Sequence, residues 1–311
     1  MKCFMTGATG ALGGPTVRAL VAAGHEVRGV ARNDAKAAHL RAAGAEPVAV
    51  DLFDRDGLVA AVAGSDAILH LATNVPPVSK AGFLPAWRTH NRLRTETTRH
   101  LIDAARAHDI GRIVKESVTF SYPDRGAEWI DELVPVDETI KLLQPTIEGE
   151  RLVEAFDGTA GVGVVLRFGL FYGPHARAVD EALQTARLRR FPWPGPEDAY
   201  LSSIHLDDVA TAVVAALDAP GGIYNVVDDD PVTKREYVDA FAAAFELPRL
   251  KLLPTRAIRT IGGSGGRMLT LSQRVANRKL RDATGWAPAY PSAREGWAAI
   301  GAQRSTEEVS R

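Results

Sequence analysis

Residues 1–32 constrain this chain more than any other stretch. Lys2-Cys3-Phe4-Met5 is an apolar run of strand length that passes straight into Thr6-Gly7-Ala8-Thr9-Gly10-Ala11-Leu12-Gly13. Val17, Leu20 and Val21 then recur at helical spacing over residues 16–23, and Gly24 closes that pattern. Residues 25–31 read as a second strand. Strand, glycine turn, helix and strand in this order predict one βαβ unit carrying a phosphate loop.

Each glycine in the loop has its own physical task. Gly7 turns the chain sharply off the strand. Gly10 lacks the Cβ that would hold a pyrophosphate away from the backbone, and Gly13 lets the helix lie close on the strand. The free N–H groups and positive end of the helix then face phosphate. Gly7, Ala8, Thr9, Gly10, Ala11, Leu12 and Gly13 are therefore the expected cradle of a dinucleotide. The position expected to carry an acid for a ribose 2′-hydroxyl falls on Ala31, and Arg32 follows. A guanidinium there suits a 2′-phosphate by roughly ten- to hundredfold, the scale of a charge-assisted hydrogen bond. NADP(H) is the preferred cofactor on this reading, NAD(H) stays admissible, and Asp34 is close enough to blunt the preference.

The Gly-x-x-Gly-x-x-Gly spacing preceded by Thr resembles the short-chain dehydrogenase/reductase superfamily, particularly its extended, epimerase/dehydratase-like members. Arg167-Phe168-Gly169-Leu170-Phe171-Tyr172-Gly173-Pro174 is similar to their R-x-x-x-x-Y-G-P turn, and Ser203 to Ala210 to their I-H-V-D-D-V-A segment. Residues 283–288 with Glu295-Gly296 are similar to their closing L-G-W-x-P … E-G. The resemblance spans residues 1–301. It implies a Rossmann-type, doubly wound parallel α/β sheet with a smaller C-terminal substrate-binding lobe. Residues 1–174 and 202–227 would form the dinucleotide-binding part, residues 175–201 and 228–301 the lobe, and residues 302–311 a frayed tail. It further implies that Asp51 and Leu52 lie beside the adenine, Leu71 and Ala72 against the cofactor, and Phe168, Gly169 and Leu170 at the nicotinamide. Asn91 matches an asparagine that supports the active site. His205 and Asp207 would fix the entry of a helix whose N-cap is Asp207 or Asp208.

Composition narrows the partners. The 311 residues are 46% hydrophobic and 24% charged, with a formal net charge of −1. That balance offers no electrostatic footprint for nucleic acid or an anionic membrane. No apolar run has the length of a membrane span, the N-terminal run ends at Thr6, and the single cysteine, Cys3, has no internal disulfide partner. These features lead to the expectation of a cytoplasmic protein acting on a small molecule, with no metal, and exposed helices of such a fold are compatible with a homodimer.

The resemblance also exposes an absence. Extended family members use Ser/Thr, Tyr and Lys, the Tyr moving a proton with its pKa lowered by a Lys one helical turn away. A helix is expected over residues 138–156, where Glu150-Arg151-Leu152-Val153 is similar to the family's trailing E-x-L-V. Counting back from Glu150 puts the Lys place on Thr146 and the Tyr place on Leu142, and the Ser place falls on Val118. No lysine in the chain has a tyrosine four residues before it. Ser117, Thr119 and Tyr122 are the candidate substitutes, with Lys115 and Lys141 as the nearest amines. The reading reached is an NADP(H)-dependent oxidoreductase with a non-standard active site, acting on a small carbonyl or otherwise electrophilic substrate. Trp87, Trp129 and Trp193 would help enclose it. A non-catalytic redox sensor and a non-redox isomerase, epimerase or lyase on the same fold stay open as alternatives.

Overall fold

The computed structural model describes residues 1–76, 83–174, 177–255, 258 and 263–309, the side chains of 177, 178, 180, 181, 264 and 304–309 excepted. In chain order the first half runs β1 (Lys2–Thr6), α1 (Gly13–Ala22), β2 (Glu26–Val30), α2 (Asp34–Ala42), β3 (Glu46–Val48), α3 (Arg55–Val62), β4 (Ala67–His70), α4 (Arg88–Arg92), α5 (Thr98–Ala107), β5 (Arg112–Val118), β6 (Trp129–Ile130) and α6 (Gln144–Glu154). The second half runs β7 (Val162–Phe168), β8 (Leu170–Tyr172), α7 (Arg177–Ala186), β9 (Arg190–Pro194), β10 (Tyr200–Leu201), β11 (Ser203–His205), α8 (Leu206–Ala215), β12 (Gly222–Val226), β13 (Val232–Thr233), α9 (Lys234–Ala244), β14 (Lys251–Leu253), α10 (Gly263–Leu269), β15 (Arg274–Val275), α11 (Arg278–Thr284) and α12 (Ala293–Val309).

Seven strands make one sheet in the order β12-β7-β5-β4-β1-β2-β3, and every pair in it is parallel. Side-chain alternation builds the two cores. Cys3 and Met5 of β1, Leu69 of β4 and Val164 and Leu166 of β7 pack with α1 and α8. Phe4, Ile68, Ile113 and Val165 point the other way, onto α3, α5 and α6. A further apolar core joins Tyr172, Phe191, Tyr237, Phe241 and Trp297. The strand order reverses between β1 and β4, which opens a crevice at their C-terminal ends.

Two polar rows cross this apolar sheet. Ser117, Arg167 and Asn225 are register partners across β5, β7 and β12. Glu150 of α6 closes the first row. It accepts from the Ser117 hydroxyl and from Arg167, whose Nε and Nη2 lie 3.0 and 2.6 Å from its two oxygens. Arg167 Nη1 also donates to the Tyr122 hydroxyl over 2.9 Å, and that hydroxyl donates to Asn225 Oδ1 over 2.9 Å. The second row is Thr6, His70 and Lys115 across β1, β4 and β5. His70 Nε2 meets the Leu93 carbonyl at 2.9 Å, so it carries the proton, and Nδ1 accepts from Thr6 over 2.8 Å. Burial, with Lys115 close by, lowers the His70 pKa to about 3 and keeps the ring neutral.

Several sequence expectations change here. Between α4 and α5 the chain makes a π-turn at Leu93–Thr97. The Leu93 carbonyl at its start accepts from His70 Nε2 over 2.9 Å. The helix expected over 138–156 begins only at Gln144, after a 3-10 turn at Lys141–Leu143. Pro145 at its start can donate no hydrogen bond to an earlier turn. The N-cap of α8 is His205, whose Nδ1 accepts from Asp207 N over 3.2 Å. Asp208 instead accepts from the backbone N–H groups of Ala289 and Tyr290. The last helix, α12, runs through Val309 into the segment from 302. The lobe segment expected from 175 lies partly outside the described residues.

Two measurements test these rows. Glu150→Ala leaves the Arg167 guanidinium buried without a counter-charge, and a cost of about 3–5 kcal/mol in urea unfolding is expected; a loss below about 1 kcal/mol would show that the pair does not hold α6. Burial lowers the Lys115 pKa to about 7 from an unfolded value of about 10.4. The unfolded chain therefore binds more protons between these values, and this group's contribution to stability rises with pH across that window. Lys115→Met removes that contribution, so its stability should vary less with pH there than the parent's; equal slopes would refute the buried titration.

Candidate active site

The glycine loop is built by contact. Gly7 has φ +77°, and a Cβ on it would lie 2.6 Å from the Leu71 carbonyl. A Cβ on Gly13 would lie 2.1 Å from the Gly7 carbonyl. Both glycines are thus required for the loop to sit against the end of β4, where Leu71 and Ala72 are buried. Above Gly10 only the Gly7 carbonyl comes near, at 3.3 Å. The start of α1 at Leu12 has no side-chain cap and no acid in its first turn. A bare Gly10 surface and an uncapped helix start fit a dinucleotide pyrophosphate. Ala8 is buried, Thr9 half-buried and Ala11 exposed.

Arg32 is exposed just beyond β2 and makes no hydrogen bond or ion pair with the described residues. Asp34 does not engage it, and the adjacent Asn33 caps α2 by accepting from Lys36 N over 3.0 Å. Arg18 and His39 both reach the side of Gly14, with Nη1 and Nε2 at 3.8 and 3.9 Å from where its Cβ would stand. Asp51 is exposed and accepts from Phe53 N over 3.0 Å, while Leu52 is half-buried. Cys3 is buried, and burial pushes its thiol up to about 11, so it is inert.

At the end of β7 the chain changes sheets. Gly169 N donates to Val226 O over 3.1 Å and Leu170 N to Ser202 O over 2.9 Å. A Cβ on Gly169 would meet the Ser202 carbonyl at 2.6 Å. Phe168 is buried against Phe171, with ring centroids 5.4 Å apart. The N–H groups of Gly169 and Leu170 are therefore spent on the fold.

The acid–base places converge on one apolar cluster. Leu142, in the Tyr place, packs there with Trp87, Ile140, Leu143 and Leu271. Val118, in the Ser place, joins the same cluster with Phe120 and Met268. Thr146, in the Lys place, is buried. The candidate substitutes are buried and hydrogen-bonded to differing degrees. Tyr122 is wholly enclosed, hydrogen-bonded on both sides, and burial raises its pKa to about 12. Ser117 is enclosed and committed to Glu150. Thr119 is buried in a 3-10 turn. Lys141 is exposed, and Lys115 is buried against Gly149 of α6, donating to Glu116 O over 3.1 Å. Asn91 is half-buried, and its Oδ1 has no partner among the described residues. Trp87 belongs to the apolar cluster, Trp193 lies against Phe120 with ring centroids 6.1 Å apart, and Trp129 sits elsewhere under Arg274.

Glu150 is the residue whose part went unread in the sequence. Its signal was present, for it stands three residues from both Ile147 and Val153 on the buried face of α6. Among the described residues no cluster of His, Cys, Asp and Glu could hold a metal ion. No helix among them is long and apolar enough to cross a membrane.

Comparison with known proteins agrees with this geometry. The chain is 33% identical over 315 aligned residues to a 3-diazoavenalumate denitrifying reductase of a Streptomyces species, with 95% of this chain and 99% of that protein covered. It is 29% identical to a 2-alkyl-3-oxoalkanoate reductase of Stenotrophomonas maltophilia, covering 80% of this chain and 77% of that one. A human epimerase family protein, solved with NADPH, superposes with a TM-score of 0.79 at 25% identity, over 97% of this chain and 99% of the other. Residues 3–226 match the NAD dependent epimerase/dehydratase family, and the chain belongs to that family.

Proposed function

We propose that this protein is an NADP(H)-dependent reductase that delivers a hydride to an electrophilic small organic substrate which needs no proton from the enzyme. The observation that carries the proposal is the pairing of a complete glycine cradle with an apolar acid–base site. Leu142 and Val118 have no proton to give, and they share one dry cluster with Trp87, Phe120 and Leu271. A ketone becomes an alkoxide on receiving hydride and must be protonated, which this wall cannot do. A substrate that is already cationic, such as an arenediazonium, makes no such demand: with the reduced nicotinamide supplying a hydride, it leaves as the arene plus dinitrogen. The similarity to a reductase named for denitrifying a diazo compound supports this class over the oxoalkanoate class.

The chain's own residues then have three tasks. The Gly7–Gly13 loop and the start of α1 bind the pyrophosphate, and Arg32 takes the 2′-phosphate. The apolar cluster excludes water from the reacting carbon, which suppresses loss of the electrophile to hydrolysis.

Two experiments bear on the proposal. Arg32→Ala should weaken NADPH binding in a fluorescence titration by roughly ten- to hundredfold and leave NADH binding nearly unchanged; an equal effect on both cofactors would remove Arg32 from the 2′-phosphate site. Turnover of an arenediazonium with NADPH deuterated at C4, corrected for a protein-free blank, should place one deuterium on the arene and release dinitrogen. Unlabelled arene, its hydrogen drawn from solvent, or no enzymic rate, would overturn the hydride reading.

A further inference from the structure

The second lobe contains a buried cation with no anion beside it. Lys234, the first residue of α9, is 1% exposed. Its ammonium donates to the Pro194 carbonyl over 3.2 Å and to the Leu269 carbonyl over 3.0 Å. Among the described residues no carboxylate pairs with it. Asp124 is the charged group that acts on it from a distance, and burial lowers the Lys234 pKa to about 8. An ammonium held out of water without a counter-charge is costly, and two neutral carbonyls leave one of its three donors unused.

The fold makes room for this group at the edge of the candidate active site. Gly195 has φ +134°, and a Cβ there would stand 2.3 Å from Lys234 Nζ. The Pro194 carbonyl adjoins Trp193, whose ring packs on Phe120 of the apolar cluster. Leu269 is flanked by Met268 and Leu271 of that same cluster. The indole Nε1 of Trp193 is buried and has no hydrogen-bond acceptor among the described residues. A free cation and a free neutral donor thus stand on segments that wall the cluster containing Leu142 and Val118.

We infer that Lys234, with the Trp193 indole N–H, binds the carboxylate of an aromatic acid substrate whose electrophilic end enters the apolar cluster. This rests on the hydride-transfer reading above and narrows its substrate class. The carboxylate supplies the counter-charge that Lys234 lacks, and the aromatic ring meets Phe120 and Trp193. Gly195 acts by leaving the ammonium its space.

The test compares 4-carboxybenzenediazonium with its methyl ester as substrates for the intact protein and NADPH. The parent enzyme should favour the carboxylate in kcat/KM by about tenfold or more, the scale of a charge-assisted hydrogen bond, mostly through KM. Lys234→Met and, independently, Gly195→Ala, which keeps the lysine but displaces its ammonium, should bring the ratio close to one while NADPH titration is retained. Equal kcat/KM for acid and ester in the parent enzyme would overturn the inference and leave the hydride reading standing. A carboxylate preference that survives both variants would also overturn it. Reduction of neither compound would instead count against the hydride reading, and binding of unreactive 4-methylbenzoate, followed by tryptophan fluorescence, then decides the carboxylate site: tighter binding to the parent than to Lys234→Met supports it, and equal binding rejects it.

Discussion

The ion pair between Glu150 and Arg167 is the constraint on which the candidate site depends. Both side chains are almost wholly buried, so each charge is tolerable only because the other is present and the remaining lone pairs and donors are used by Ser117 and Tyr122. The pair fixes α6 over β5 and β7. It thereby sets where Leu142, Thr146 and Gly149 stand relative to the sheet's C-terminal edge. Gly149 in turn leaves the space that Lys115 fills, since a Cβ there would lie 2.8 Å from Lys115 Cε.

Around that anchor the chain keeps one half of its family's chemistry and replaces the other. The half that binds dinucleotide phosphate is held by contacts only glycine can make, at Gly7 and Gly13. Leu142 and Val118, at the places where the resemblance puts the Tyr and Ser, lie in one apolar cluster. Ser117 and Tyr122, which retain hydroxyls close by in sequence, have been drawn into the supporting network. A low-dielectric wall without an acid is suited to an acceptor that arrives already charged or strongly polarised. On the carboxylate proposal, Lys234 and Trp193 would add donors that recognise a substrate's own anion away from the reacting carbon.

What could be read in the sequence was local. The alternation of Cys3, Phe4 and Met5, the helical period after Gly13 and the turn glycines each speak within a few residues, so the βαβ start and the parallel sheet were legible. Helix ends were less so, because Pro145 sets the start of α6 several residues later than the apolar pattern implies. The missing Tyr-x-x-x-Lys pair was equally plain, since a spacing of four is a property of the chain alone.

The sequence by itself determined the nucleotide-binding unit, the bare position at Ala31 with Arg32 beyond it, and the loss of the usual acid–base residues. Only the tertiary structure decided what occupies their place. Register aligns Ser117, Arg167 and Asn225 in one row, and helix packing brings Leu142 to Val118 and Phe120. Tyr122 is buried because Asn225, on a strand more than a hundred residues away, supplies its acceptor. Lys234 loses its water because Pro194 and Leu269 close over it. Each of these outcomes depends on pairing between distant segments, and a one-residue change in register or a different helix rotation would reverse it with the same residues in the same order.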